Sequence, residues 1–377
     1  MNFNLQYPGN IIFGNKCIDN LPGLIPEGSN ILLVAGKSAG ASGVLDSIKS
    51  LLSEFSILDA VGIVMPEPPL ECVDKIITLG RDEGVDAVLA VGGGSVIDAA
   101  KVAASLIPLE GDTADYFYGK RQIHQKGLFF AAIPTTAGTG AEITRNAVLT
   151  DVDAKLKKSI RSPYMVPDVA VIDPVLTLSL PAGITAASGL DAFTQALESF
   201  TSSNANSVTR SLAKSAVSKI FANLAGVYRD GADLAGRAEV AEGSLLSAMA
   251  FSQSGLGAVH GLAHPVGSLL KVPHGVACSI LLKPVMEWNA SVCSGDYAKL
   301  AKACGIQGNG EAALTDELIS AIGYLCREML IPESFVDFGL NEDHFEFIVK
   351  NCRSRSMECN PRPMSDDDVV ALLKSMV

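Results

Sequence analysis

The residues with the most chemical promise lie in two short stretches of the second half. GLDAFTQALESF, residues 189–200, looks like the start of a helix and sets Asp191 and Gln195 one turn apart. HGLAHPVGSLLKVPHG, residues 260–275, carries three of the chain's five histidines: His260, His264 and His274. His260 and His264 are four residues apart and share one helix face, while His274 follows Pro273 after a turn. A carboxylate with two imidazoles is the oxygen and nitrogen donor set that suits a divalent transition metal. Asp191, His260 and His274 would supply it and leave a position open for substrate. Plainer readings compete: Asp191 as a helix N-cap, and His124 and His344 as structural histidines. HGLAH is not the HExxH of zinc proteases, because Gly261 stands where the glutamate belongs.

A second set of residues suits a nucleotide. VGGGSVIDAAK (91–101) joins an apolar run to a helical pattern, and its glycines let a ligand approach the backbone. The N–H groups at a helix start attract phosphate. The turn departs from GxGxxG, since counting from Gly92 puts Ile97 at the third glycine position. A turn without a ligand is the alternative. PTTAGTGAEIT (134–144) follows another apolar run with hydroxyls suited to ribose and phosphate oxygens. Two such turns at strand ends fit a dinucleotide lying across a sheet edge. ILLVAG (31–36) runs into GKSAG, where NAD sites often carry an acid, and the next acid is Asp46. Lys37 and Ser38 are suited to a 2′-phosphate, which predicts a preference for NADP(H) over NAD(H). A solvated surface lysine is the competing reading of Lys37.

These residues need elements to hold them. ILLVAG (31–36), LDAVGIV (58–64), VDAVLAVGGG (85–94), LFFAAIPTT (128–136) and VAVIDP (169–174) read as strands. GVLDSIKSLLSEF (43–55), LECVDKIITLGRDEG (70–84) and SVIDAAKVAASLI (95–107) read as helices between them. The alternation implies a largely parallel sheet covered on both faces. After PAGIT (181–185) the pattern is helical almost to the end, which puts a boundary near residues 178–182. The expectation is an α/β domain over 1–180 and an all-α domain over 181–377. Ser365, followed by three acids, is a candidate N-cap for the last helix.

With 377 residues, two domains are the default. Hydrophobic residues make up 48% and charged residues 19%, an ordinary balance for a globular enzyme. The net charge of −12 argues against nonspecific binding to nucleic acid or anionic membrane. No signal-like N-terminus or membrane-length apolar run is evident, so a cytoplasmic protein is expected. Eight scattered cysteines without a CxxC pair fit reduced thiols.

Taken together, GGGSVIDAAK, PTTAGTGAE, VIDP, GLDAFTQALESF, HGLAHPVG, PHGVA and NPRP (360–363) resemble the iron-containing (group III) alcohol dehydrogenase family across nearly the whole chain. The resemblance implies a dehydroquinate synthase-like fold: a Rossmann-like parallel-sheet domain, a helical domain, and an active site in the cleft between them. It implies NAD(P)-linked interconversion of alcohols with aldehydes or ketones. By position, Asp191, His260 and His274 match three of four metal ligands. His264 matches a histidine near the substrate and is the expected proton relay. Gly93, Gly94 and Ser95 match the pyrophosphate turn. Asp98, Thr135, Thr136, Thr139 and Asn146 match other cofactor-lining positions. Lys157, with Lys158 as a rival, matches a lysine that reaches the ribose, and Gly36, Lys37 and Ser38 match the adenosine-ribose turn. Gln195 stands where most members have the fourth ligand, a histidine. A neutral amide is a poorer donor than imidazole for Fe(II) or Zn(II), so Gln195 is expected to bind weakly or to position a water. Two alternatives stay open: a metal-independent reductase of carboxylated or phosphonate-type carbonyls, resembling maleylacetate reductases and drawing on a basic residue such as Lys271, and an inactive cofactor-binding homologue. The family also implies a homodimer or higher homo-oligomer, through FNLQYPGNIIFG (3–14) adding to a partner's sheet edge.

Overall fold

The computed structural model describes residues 3–154 and 156–377. Met1, Asn2 and Lys155, which fall within stretches read above, lie outside the described residues. Asn4–Ser179 and Leu180–Val377 form two compact units.

Among its described residues the first unit holds eight strands: β1 (Asn10–Phe13), β2 (Asn30–Ala35), β3 (Ser56–Val61), β4 (Ala87–Gly92), β5 (Phe129–Pro134), β6 (Asn146–Asp151), β7 (Leu156–Arg161) and β8 (Val169–Ile172). Five helices accompany them: α1 (Lys37–Ala41), α2 (Val44–Leu51), α3 (Leu70–Asp82), α4 (Gly94–Leu106) and α5 (Thr113–Phe117). Six strands form one sheet in the order β1-β8-β5-β4-β2-β3, with every registered pair parallel. Leu32, Val34, Val88 and Ala90 pack with α3 and α4 on one face. Ile31, Leu33, Leu89 and Val91 pack with α2 on the other. This two-faced burial explains why β2 and β4 read as continuous apolar runs. The chain passes from β2 to β3 on one side and from β4 to β5 on the other, so the switch point, where ligands of such sheets bind, lies at the carboxyl ends of β2 and β4.

Two expectations need correction here. β3 ends at Val61 rather than 64, because Gly62 takes φ +72° and its N–H bonds to the Ala35 carbonyl. The antiparallel β6–β7 hairpin was not anticipated. Its strands are half exposed and carry Lys157, Lys158 and Arg161, so they lack the apolar run that marked the others.

Helices alone build the second unit among the described residues. They are α6 (Ala182–Thr201), α7 (Ser207–Arg229), α8 (Leu234–Ser254), α9 (Ala258–Leu270), α10 (His274–Ala303), α11 (Glu311–Glu328), α12 (Phe345–Asn351), α13 (Arg355–Glu358) and α14 (Asp366–Lys374). α6 begins right after Pro181, well before Gly189, so Asp191 sits in mid-helix and does not act as an N-cap. Ser365 caps α14 and accepts from the Asp368 N–H, while the Asp368 carboxylate accepts from the Ser365 N–H. No helix among the described residues is long and apolar enough to cross a membrane.

Candidate functional site

In the second unit, α6, α9 and α10 bring their donors to one place. Asp191, Gln195 and Glu198 recur along one face of α6 and are buried, although burial is costly for polar groups unless they are partnered. His260 Nε2 lies 3.3 Å from Asp191 Oδ1, and His274 Nε2 lies 3.8 Å from the same oxygen. Cys278, one turn beyond His274 on α10, sets its Sγ 3.7 Å from His274 Nε2. One donor atom from each of Asp191, His260, His274 and Cys278 falls within 4.8 Å of all the others. Tetrahedral coordination at about 2.1 Å separates ligand atoms by about 3.4 Å, or about 3.6 Å where one is sulfur. The four side chains therefore fit a divalent ion with little movement.

Glu198 is the support that sequence reasoning missed. Its Oε2 lies 2.6 Å from His260 Nδ1, and its Oε1 accepts from the Val259 N–H at 2.7 Å. One carboxylate thus caps the start of α9 and orients the imidazole, leaving Nε2 turned to the donor cluster. Asn360 of the NPRP stretch accepts from the Ala258 N–H and exchanges hydrogen bonds with Asn289. Gly257 is needed for this approach, since a Cβ there would sit 2.7 Å from Glu198 Oε1. The signal was available, because 191, 195 and 198 share a helical face and 274 and 278 are one turn apart. What the sequence does not state is which faces meet.

The charges in this cluster are coupled. Burial works against ionised Asp191, but His260 and His274 outweigh it and hold the carboxyl below its usual range. Burial also opposes charge on His260, yet Cys278, Glu198 and Asp191 raise it well above an ordinary imidazole. Burial pushes the Cys278 thiol up to about 11, with His260 only partly countering it. Gln195 Nε2 donates to Asp191 Oδ2 at 3.0 Å, while its buried Oε1 has no hydrogen-bond partner among the described residues. His264 is partly exposed and stacks on His274, with ring centroids 5.1 Å apart.

The first unit assembles the nucleotide-type residues at the carboxyl ends of β2, β4 and β5. Gly93 caps α4, which Gly94 and Ser95 open. Thr136 and Thr139 of the turn after β5 pack on these glycines, and a Cβ on Gly94 would lie 2.6 Å from Thr139 Oγ1. Thr135 donates its N–H to the Gly92 carbonyl, which ties the two turns together. The partly exposed N-terminus of α4, opened by Gly93 and Gly94, suits a phosphate. Gly36 caps α1, Lys37 lies along Gly62, and Ser38 is exposed. Lys157 pairs with Glu67 at 2.6 Å, and the Glu67 N–H donates to Ser95 Oγ, so this lysine is held beside the α4 turn. Lys158 instead lies 5.9 Å from the Phe117 ring centroid. Asp98 accepts from the Val148 N–H, and the Asn146 carbonyl accepts from Lys101. Lys271 closes α9 as an exposed residue.

Comparison with known proteins agrees with both halves. Residues 8–174 match the family described as iron-containing alcohol dehydrogenase, and residues 185–377 match the C-terminal part of the Fe-containing alcohol dehydrogenase family. The chain is 34% identical to long-chain-alcohol dehydrogenase 1 of Geobacillus thermodenitrificans, over 93% of this chain and 92% of that one. It is 32% identical to the NADPH-dependent butanol dehydrogenase of Clostridium saccharobutylicum, over 98% and 96%. The crystal structure of a 1,3-propanediol oxidoreductase matches with a TM-score of 0.94 at 32% identity, covering 100% of both chains.

Proposed function

The chain belongs to the iron-containing alcohol dehydrogenase family, and from that premise we propose the residues and cofactor with which it works. It is an NAD(P)-dependent oxidoreductase that interconverts a small-molecule alcohol with its aldehyde or ketone. The observation that carries the proposal is the convergence of Asp191, His260 and His274 on one centre backed by Glu198. Asp191, His260 and His274 hold Fe(II) or Zn(II). When bound, the ion would supply Lewis-acid polarisation of the substrate oxygen and the nicotinamide cofactor would supply hydride chemistry.

The protein's own groups do the rest. Glu198 accepts from His260 Nδ1–H, which keeps the Nε2 lone pair available for the ion. Gln195 steadies Asp191 through its amide N–H. His264, partly exposed and stacked on His274, passes the alcohol proton toward solvent and returns it in reduction. Backbone N–H groups of Gly94 and Ser95 bind the pyrophosphate. Asp98, Thr135, Thr136, Thr139, Asn146 and Lys157 shape the cofactor seat around that turn.

NADP(H) is the preferred cofactor. The β2 turn offers Gly36, Lys37 and Ser38, with no carboxylate before Asp46 to bind a free ribose hydroxyl or repel a 2′-phosphate. One relative of similar length is itself NADPH-dependent. A kcat/KM ratio favouring NADH strongly would remove this preference. β1 is the outer strand of its sheet, which supports the homo-oligomer proposal, and a monomer in light scattering would end it.

Metal content and aldehyde reduction, measured on one sample purified anaerobically, test the central reading. Near-stoichiometric iron or zinc, with activity lost on chelation, is the expected result. Full activity without metal would overturn the assignments of Asp191, His260 and His274.

A further inference from the structure

We propose that Cys278 is the fourth protein ligand to the metal, so that this site takes an Asp-His-His-Cys set. The inference rests on the metal reading above and deepens it.

Three observations carry it. First, Cys278 is fully buried on the first turns of α10, and its Sγ stands 3.7 Å from His274 Nε2. That is the edge length expected between nitrogen and sulfur on one tetrahedral ion, about 3.6 Å. Second, the Sγ lies within 4.8 Å of the donor atoms of Asp191, His260 and His274 together, so it faces the centre and not one neighbour alone. Third, Gln195 offers the centre the weaker donor, since a neutral amide oxygen binds Fe(II) or Zn(II) less well than a thiolate. Its amide nitrogen bonds to Asp191 Oδ2, the oxygen remote from the one that His260 and His274 approach. Gln195 then acts on the metal through Asp191, and the thiol takes the direct place.

The chemistry is balanced. As the metal–sulfur bond forms, the Sγ–H bond breaks and its proton passes to water; no electrons change hands. A thiolate makes the set softer than three nitrogens with a carboxylate, which favours Zn(II) and Fe(II) over Mg(II) or Mn(II). It also brings a second negative charge beside Asp191, lowering the net charge of the loaded site by one relative to a neutral ligand. The other cysteines are not part of the cluster among the described residues.

The test uses Co(II) added to the metal-free full chain. The wild type is expected to bind one equivalent, with a sulfur-to-cobalt charge-transfer band in the near ultraviolet. Cys278→Ser is expected to lose that band and to bind Co(II) at least about tenfold more weakly. One bound equivalent without the band, or a band that survives in Cys278→Ser, would overturn the thiolate ligand and leave the metal reading standing. No Co(II) binding by the wild type would overturn both. Should the serine variant misfold, X-ray absorption on the zinc-loaded wild type decides. One sulfur neighbour at about 2.3 Å supports the proposal, and a shell of only nitrogen and oxygen sinks it.

Discussion

Two buried ionic clusters, one in each unit, show how differently a protein can use charge. In the first, Lys101 on α4 is fully buried, and its ammonium reaches the carbonyls of Ala141, Thr144 and Asn146 at 2.6 to 2.9 Å. Thr144 Oγ1 stands at 3.2 Å and Asp98 at 4.0 Å, with Glu142 buried nearby. Each ammonium proton has an acceptor, and the result is a pin from α4 to the end of the Thr-rich turn and the start of β6. In the second, the side chains of Asp191, His260, His274 and Cys278 converge on one point, with Glu198 and Gln195 supporting them from behind. A buried charge whose needs are met by backbone carbonyls is architecture. Carboxylate, imidazole and thiol side chains that converge on one point are the donor set of a metal centre.

The largest separation between the clusters should come from removing a donor. His260→Ala deletes a donor nitrogen, leaves Glu198 buried without its imidazole, and opens a gap at the centre. Aldehyde reduction is expected to fall by about a thousandfold or more, with metal content well below one equivalent. Retained metal and near-normal turnover would show that His260 belongs to the architectural class.

Lys101→Met makes the opposite cut. It keeps the length of the side chain and removes the ammonium from three carbonyls and Asp98. Unfolding free energy is expected to drop by roughly 3 kcal/mol, as when one partner of a buried pair is lost. Metal content should stay at the wild-type level, because the change lies in the other unit. Urea unfolding and metal analysis on the same preparation check both halves. An unchanged unfolding midpoint would mean that the pin carries no stability.

Glu198→Gln sits between these two. It preserves size and one acceptor oxygen but weakens the hold on His260 Nδ1. Metal affinity is expected to fall about 10- to 100-fold, the range found for carboxylates behind ligating histidines. Affinity equal to wild type would reduce Glu198 to a cap on α9.

The ease of reading these two regions from sequence also differs. The glycine turns announced themselves, because a fully buried parallel strand such as β4 is an unbroken apolar run that stops where glycines begin. Asp191, His260 and His274 stood out because carboxylates and imidazoles are rare in apolar helices. Glu198 and Cys278 did not stand out. Each is an ordinary residue until α9 and α10 pack against α6 with particular faces, and no local pattern specifies that docking. Lys101 was hidden for a related reason. A lysine at the eighth position of α4 gives no local sign of its partners, and only the packing of the Thr-rich turn and the start of β6 encloses it. The hairpin itself was missed because its half-exposed strands carry more polar than apolar residues.

The smallest effect concerns pH and belongs to the first cluster alone. Burial, with Asp98 adding to it, lifts Glu142 from an ordinary 4.5 to about 7, although Lys101 pulls the other way. Burial likewise raises Asp98 from 3.8 to about 6 and lowers Lys101 from 10.5 to about 8. Between pH 4.5 and 7 the folded chain keeps a proton on Glu142 that the unfolded chain has released. Stability from this group is therefore complete below 4.5 and is lost as pH rises through 7. Lys101 has the reverse sign, because the unfolded chain keeps its proton longer, so its contribution rises between about 8 and 10.5. Glu142→Gln is neutral throughout and cannot take part in the first change. The urea midpoint of the wild type should fall more than that of Glu142→Gln between pH 5 and pH 7.5. Parallel midpoints would mean that Glu142 is ionised in the folded chain at low pH, paired with Lys101 more tightly than with the apolar surroundings. The cluster would then resemble the donor centre of the second unit in holding a full carboxylate charge, and the contrast would rest on geometry alone.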